Sequence, residues 1–277
     1  MNPNFASFIK DGYFGFDVYL CSHCNLKCRS CTRFSSISKA HFYDFNQYKK
    51  DILHLKKIKF NLKFLSFSGG EPLLHPKIIN FIEYTRFLFP DIDLSIITNG
   101  LIFNKQSETF YKVLRDNNVY VTYTEYPYEK IDYNELINIC NYYNIKYRNI
   151  FIVDKRTKDY KNQTRLLFST NRLSENETCI KEIKKYVICN NDCPCLWNGR
   201  LYQCGTIPFS FALNEKYNTN FKISDDDYMI ITEIKNTEQV FKFWLNPTSF
   251  CKYCYNCDNP YQNWDHHVAC KSDWIYE

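Results

Sequence analysis

Between Phe16 and Ile152, short apolar runs alternate with segments of helical period. GFDVYL (15–20), LKFLSF (62–67), DLSIIT (93–98), VYVTYT (119–124) and IKYRNIFIV (145–153) have strand length and strand composition. The intervening segments 45–59, 77–89, 105–117 and 132–143 read as helices. In QYKKDILHLKKIKF the lysines form the solvated face of an amphipathic helix. Pro76 stands where a first helical turn tolerates it, and Pro90 lies just past the end of the same helix. This alternation predicts α/β architecture built from right-handed βα units, with a parallel sheet curling toward a barrel or partial barrel. Functional groups are then expected at the C-terminal ends of the strands.

Beyond the fifth strand the pattern changes. Residues 154–178 are polar with little apolar period and read as a linker or loop. After them cysteines become dense, Asn198-Gly199 marks a two-residue hairpin turn, and 225–234 with 237–245 suggest a strand and a short helix. The expected organisation is an N-terminal segment (1–15), a barrel (16–180) and a small cysteine-rich, hairpin-containing extension (181–277).

Composition narrows the class. The 277 residues are 45% hydrophobic and 23% charged, a balance that can bury a full core. No apolar run approaches the ~18 residues of a membrane span, and MNPNFASFIKDGYFGF lacks the basic-then-apolar pattern of a secretory signal. A cytoplasmic location is expected, so the fourteen cysteines read as thiols available to metal rather than as disulfides. The net charge of +5, from 35 basic and 30 acidic residues, is mild and spread out. It favours a solvated surface over a nucleic-acid groove.

The first strand runs into CSHCNLKCRSC, where Cys24, Cys28 and Cys31 have the spacing C-x3-C-x2-C. Three thiolates on one tight loop can hold three irons of a cubane and leave the fourth open for a cosubstrate. With Cys21 included, the run also reads as four ligands of a closed zinc site. The strand ends downstream favour the first reading. The second strand leads into Ser68-Gly69-Gly70-Glu71-Pro72 and the third into Thr98-Asn99-Gly100. Glycines there let backbone approach a ligand closely, and the glutamate can accept from an ammonium group.

CNLKCRSC, LSFSGGEPLLHP and IITNG together resemble the radical S-adenosylmethionine (radical SAM) superfamily, over roughly residues 14–153. The resemblance implies a partial (β/α)6 barrel with a [4Fe–4S] cluster on Cys24, Cys28 and Cys31. It implies S-adenosylmethionine chelating the open iron, Gly69, Gly70 and Glu71 holding the methionyl amino group, and Thr98 and Asn99 near the ribose. It also implies reductive cleavage to a 5′-deoxyadenosyl radical, which abstracts a hydrogen atom from substrate, with a flavodoxin- or ferredoxin-type reductant as partner. One departure stands out. Family members often place an aromatic residue just before the last motif cysteine, and here it is Ser30.

The C-terminal third carries a second set of thiols. CPCLWNGRLYQC reads as a hairpin in which Trp197 faces Arg200, which sets Cys193 opposite Cys204. Such neighbours lie ~4.5–5.5 Å apart at Cβ, a separation suited to ligands of one cluster. CKYCYNC adds Cys251, Cys254 and Cys257. Cys193, Cys204, Cys251 and Cys254 then form a four-cysteine site, with Cys189, Cys195 and Cys257 as alternates. A structural zinc is the competing occupant. The arrangement resembles the twitch or SPASM extensions of radical SAM enzymes, which implies an auxiliary [4Fe–4S] cluster. Such a cluster would take up the substrate radical's electron in an oxidation; a spare thiol such as Cys195, Cys257 or Cys270 would instead return a hydrogen atom in an epimerisation.

The run from CSHCNLKCRSCTRFSS through TEYP to NGRLYQC resembles short radical SAM proteins associated with bacterial polysaccharide biosynthesis. That implies a sugar or nucleotide-linked sugar as substrate, faced by Glu125, Tyr126 and Tyr128 at the fourth strand end. Two alternatives stay open: modification of a ribosomal peptide, and a non-catalytic zinc or iron–sulfur binding module. With about fifteen residues ahead of the first strand, a leader-binding domain is expected to be a separate protein.

Overall fold

The structure is a computed structural model. It describes residues 14–126, 128, 130–150, 167–169, 172–175, 194–244, 246–255, 261–263, 265–266 and 268–275. In the first half, the predicted elements form within a few residues of their expected limits. Strands β1 (Phe14–Cys21), β2 (Leu62–Gly69), β3 (Asp93–Thr98), β4 (Val119–Thr124) and β5 (Tyr147–Ile150) alternate with helices α1 (Phe45–Lys57), α2 (Ile78–Leu88), α3 (Glu108–Asp116) and α4 (Tyr133–Tyr142). The helix starts are set locally. Asp44, Ser107 and Asp132 each accept a hydrogen bond from the backbone N–H three residues on, a cap contributing about 1 kcal/mol.

The strands pair in parallel, with Asp17 opposite Ser66, Ser66 opposite Ser95, and Ile97 opposite Thr122. Successive side chains point to opposite faces, which divides the sheet sharply. One face carries Phe16, Val18, Leu20, Leu65, Phe67, Leu94, Ile96 and Val121, all buried. Helices α1 and α2 cover it, Tyr48 and Phe81 lying against Phe67 with ring centroids 6.3 Å away in each case. Burial of each such side chain contributes ~1.5–3 kcal/mol. The other face carries Asp17, Ser66, Ser68, Ser95 and Thr122, also buried.

Two short strands, β6 (Leu167–Ser169) and β7 (Arg172–Leu173), interrupt the stretch expected to be a linker. They form because later strands supply partners: β6 pairs with β12 (Tyr261–Asn263) and β7 with β11 (Cys254–Tyr255), both antiparallel. The hairpin of β8 (Cys195–Trp197) and β9 (Arg200–Tyr202) has the predicted register, Trp197 opposite Arg200. Asn198 and Gly199 turn it with φ of 45° and 80°, both left-handed as a type I′ turn requires. The hairpin also reaches the barrel. Strand β8 pairs in parallel with β1, and β10 (Tyr228–Ile230) pairs with β9, giving one eight-stranded sheet ordered β10-β9-β8-β1-β2-β3-β4-β5. Among the described residues, two short helices, α5 (Phe211–Tyr217) and α6 (Thr237–Trp244), follow β9 in the chain. Among the described residues no helix is long and apolar enough to cross a membrane.

Candidate functional site

The ends of β1, β2 and β3 are tied into one polar knot. Gly70 N–H donates to the Cys21 carbonyl at 2.8 Å and Glu71 N–H to the His23 carbonyl at 3.0 Å, so the start of the cysteine loop lies directly on the end of β2. That contact requires glycine. A Cβ on Gly70 would sit 1.8 Å from the His23 carbonyl oxygen, and Gly69 has a φ of 125° with its own Cβ position 2.5 Å from the Cys21 oxygen. The Glu71 carboxylate is buried and collects three donors: Thr98 Oγ1 at 2.7 Å, Asn99 N–H at 2.9 Å and Leu73 N–H at 3.1 Å. Burial pushes this carboxyl up to about 7, with the Asn99, Thr98 and Leu73 donors pulling the other way. By count of lone pairs, Oε2 keeps one acceptor site beyond Asn99.

Asn99 carries the knot across to the cysteines. Its amide Nδ2 donates to Cys24 Sγ at 3.4 Å and to Asn25 Oδ1 at 2.8 Å, while its Oδ1 accepts from Leu101 N–H at 2.9 Å. A second donor, Leu26 N–H, also lies 3.4 Å from Cys24 Sγ. Burial first, then the Glu71 charge and the neighbouring Cys28 and Cys31, hold the Cys24 thiol well above its ordinary value. Such a group becomes a thiolate only against strong positive charge, which a metal centre supplies. Flanking Cys24, His23 Nδ1 and Asn25 Nδ2 are buried without a hydrogen-bond partner among the described residues. Orphaned polar atoms of this kind point to a ligand. The donor set thus fits an iron–sulfur cluster with a polar cosubstrate beside it.

Cys21 stands apart from the other three. It is fully buried at the strand end, its thiol donates to the Glu71 carbonyl at 3.1 Å, and burial with the Glu71 charge pushes it up to about 12. This engagement turns Cys21 away from the closed four-cysteine zinc arrangement. Among the described residues no three His, Cys, Asp or Glu side chains converge on a single metal ion.

The C-terminal residues cover the far side of the cysteine loop, which no sequence signal foretold. Ser30 Oγ donates to the Asp273 carbonyl at 2.8 Å and Trp274 Nε1 donates to the Cys31 carbonyl at 2.9 Å. Ser30, where the resemblance leads us to expect an aromatic residue, is thus hydrogen-bonded to the Asp273 backbone.

At the end of β4, Tyr126 and Glu125 part company. Tyr126 is half-buried, and burial with Cys28, Cys24 and Cys31 nearby pushes its phenol well up. Its N–H donates to Tyr133 Oη at 2.7 Å. Glu125 is exposed and accepts from Asn149 Nδ2 at 2.6 Å on β5. Tyr128 stacks on His266, ring centroids 4.6 Å apart.

Of the C-terminal thiols, Cys189, Cys193 and Cys257 lie outside the described residues. Cys195 is fully buried in β8, opposite Asp17. Cys204 is half-buried in the turn after β9, and Cys254, also half-buried, opens β11 opposite Leu173. Cys251 is half-buried with its Sγ 3.8 Å from Thr248 Oγ1, and Cys270 is exposed.

Residues 18–146 match the Radical SAM superfamily. Two curated relatives are both GTP 3′,8-cyclases. That of Trichodesmium erythraeum (strain IMS101) is 31% identical over 101 residues, 34% of this chain and 30% of that protein. That of Microcystis aeruginosa (strain NIES-843 / IAM M-2473) is 27% identical over 98 residues, again 34% and 30%. The match therefore spans less than a third of the length of these relatives. The crystal structure of BtrN in complex with AdoMet and 2-DOIA superposes with a TM-score of 0.51 at 17% identity, over 88% of this chain and 93% of that one. At that identity the likeness bears on the fold, a mixed α/β architecture with a parallel-rich sheet.

Proposed function

Starting from the radical SAM superfamily domain at residues 18–146, whose family implies a [4Fe–4S] cluster and S-adenosylmethionine, we propose that this protein abstracts a hydrogen atom from a small polar substrate, a sugar or nucleotide-linked sugar. The observation that carries the reading is the joint between Cys24, Asn99 and Glu71, which brings three strand ends and the cysteine loop to one place. Cys24, Cys28 and Cys31 would hold the cluster. Gly69, Gly70, Glu71, Thr98 and Asn99 would receive S-adenosylmethionine. When bound, the cluster would supply the electron for reductive cleavage of S-adenosylmethionine, the chemistry that starts hydrogen-atom abstraction.

The chain's own residues prepare that event. Asn99 and Leu26 N–H aim two donors at Cys24 Sγ, which orients the sulfur and stabilises its thiolate. Glu71 fixes Thr98 and Asn99 in turn. Gly69 and Gly70 let the end of β2 lie directly against Cys21 and His23, which sets the cysteine loop beside Glu71. Tyr126, two residues past β4 and near the three motif cysteines, would help exclude water. The polar substrate class is supported by the inner face of the sheet. Ser68 Oγ donates to Asp17 Oδ2 at 3.2 Å there, and Arg33 pairs with the same carboxylate at 3.5 Å. GTP 3′,8-cyclase, named for a nucleotide substrate, supports it as well. In the C-terminal region, Cys193, Cys204, Cys251 and Cys254 would carry an auxiliary [4Fe–4S] cluster, and a flavodoxin- or ferredoxin-type protein would deliver the electron.

The test is anaerobic reconstitution with iron and sulfide, then dithionite and S-adenosylmethionine. Wild type is expected to release 5′-deoxyadenosine and methionine in equal amounts, and Cys28→Ala to release neither. Cleavage retained in Cys28→Ala would overturn the assignment.

A further inference from the structure

The three motif cysteines are held from two different sides. Cys24 is fixed by Asn99 at the end of β3 and by Leu26 N–H within the loop itself. Cys28 and Cys31 are held instead by residues from the other end of the chain. Arg29 N–H donates to the Asp265 carbonyl at 2.9 Å, and Cys28 forms a β-bridge with His266. Arg29 Nε meets Asp273 Oδ1 at 3.2 Å, Ser30 Oγ meets the Asp273 carbonyl at 2.8 Å, and Trp274 Nε1 meets the Cys31 carbonyl at 2.9 Å. The Trp274 ring also packs edge-on against Phe34, centroids 6.0 Å apart. Every residue from Cys28 to Cys31 is therefore engaged by the segment near the C-terminus.

That segment is itself firmly built. Asp273 and Trp274 are 3% and 1% exposed. Asp273 Oδ2 accepts from Cys270 N–H at 2.9 Å, and the Trp274 carbonyl accepts from Leu173 N–H at 2.6 Å. The part of the loop it grips needs outside support. Ser30 and Phe34 have φ of 53° and 54°, left-handed conformations that cost a non-glycine residue roughly 1–2 kcal/mol each. Strained backbone of this kind persists when its surroundings over-determine it, and here the surroundings are Asp273 and Trp274.

We infer that Asp273 and Trp274 are positioning residues for the cluster, setting where Cys28 and Cys31 stand relative to the independently fixed Cys24. The inference rests on the reading that these cysteines hold the cluster. Groups that orient metal ligands through hydrogen bonds change metal affinity about 10-fold or more when removed, and the effect should fall on one side of the loop.

Two conservative variants of the full chain test it. Trp274→Phe keeps an aromatic, though smaller, ring against Phe34 and removes the N–H donor; Asp273→Asn keeps the shape and replaces a carboxylate oxygen with an amide donor facing Arg29 or Cys270. In metal-free protein, hydrogen exchange should accelerate across residues 28–34 and stay at the wild-type rate across 22–26. After reconstitution, iron should be lost to a competing chelator about 10-fold more readily, and the electron paramagnetic resonance signal of the reduced cluster should shift its g values. Ser30→Ala, the mildest change, should move the same readouts in the same direction if either variant fails to fold. Unchanged exchange, iron retention and g values in the folded variants would overturn the positioning role. Wild-type iron content in Cys28→Ala would instead overturn the cluster reading, and the metal-free exchange measurement would still decide whether these residues order the loop.

Discussion

Glu71 shows how one side chain can serve both fold and site. Its buried carboxylate accepts from Thr98, Asn99 and Leu73, so it fixes the end of β3 before any ligand arrives. The spare acceptor position on Oε2 is what a methionyl ammonium group would use. Glu71→Gln separates the two roles poorly but informatively. The glutamine amide must present its NH2 either to Asn99 N–H or to the pair of donors on the other side, leaving a buried donor facing a donor. That arrangement costs about 1–3 kcal/mol, and the charge that would attract an ammonium group disappears with it. The expected outcome is a urea unfolding free energy lower by that amount, together with weaker S-adenosylmethionine binding by calorimetry. Iron content stays near wild type, because the carboxylate's donors are Thr98, Asn99 and Leu73 and the cysteine sulfurs keep their own surroundings. A stability loss with unchanged cosubstrate affinity would leave Glu71 a purely structural group.

At the scale of elements, what the sequence made legible tracks how local the cause is. The strands β1 to β4 and their helices follow from apolar periodicity and side-chain caps such as Asp44 and Ser107, and both are written within a dozen residues. The Asn198-Gly199 turn was legible for the same reason. Its placement was not. That β8 would pair with β1 depends on Pro194 offering its carbonyl to Asp17 N–H at 2.9 Å, a contact between positions far apart in the chain. The two-strand pairings of β6 and β7 were missed likewise, since each strand is only two or three residues long and forms through its partner. Docking of Asp273 and Trp274 on the cysteine loop is the extreme case, joining residues 243 positions apart. The hairpin turn provides a test at this scale. Tyr43 donates to Asp51 and accepts from Gly199 N–H at 3.2 Å, so α1 and the hairpin tip share one phenol. Tyr43→Phe leaves a buried carboxylate and a backbone N–H short of a partner. A destabilisation of about 1–3 kcal/mol is expected, measured by urea unfolding. A change within about 0.5 kcal/mol, the range of ordinary surface substitutions, would mean that β8 docks independently of this bond.

Over the whole molecule, the sheet runs unbroken from the βα units of the first half through β8 and β9 to β10. The cysteine-rich hairpin is thus attached to the same strand, β1, that delivers the motif loop. Leu173 makes a second connection, pairing with Cys254 on β11 while its N–H reaches the carbonyl of Trp274. Metal bound at the C-terminal cysteines would consequently sit on framework shared with the first site, and filling it would add binding free energy to the fold of both. Removing one of its ligands should therefore have two separable effects. In Cys204→Ala, iron per chain should fall by one cluster's worth, about four irons if the occupant is a cubane, while 5′-deoxyadenosine is still produced from the first site in the absence of substrate. Thermal unfolding of the reconstituted protein should shift downward by more than that of the metal-free protein, since only the loaded form loses the linkage contribution. Iron content unchanged by the substitution would remove Cys204 from the ligand set. Loss of zinc in place of iron would make the C-terminal site a structural clasp, and hydrogen-atom abstraction would then rest on the first cluster alone.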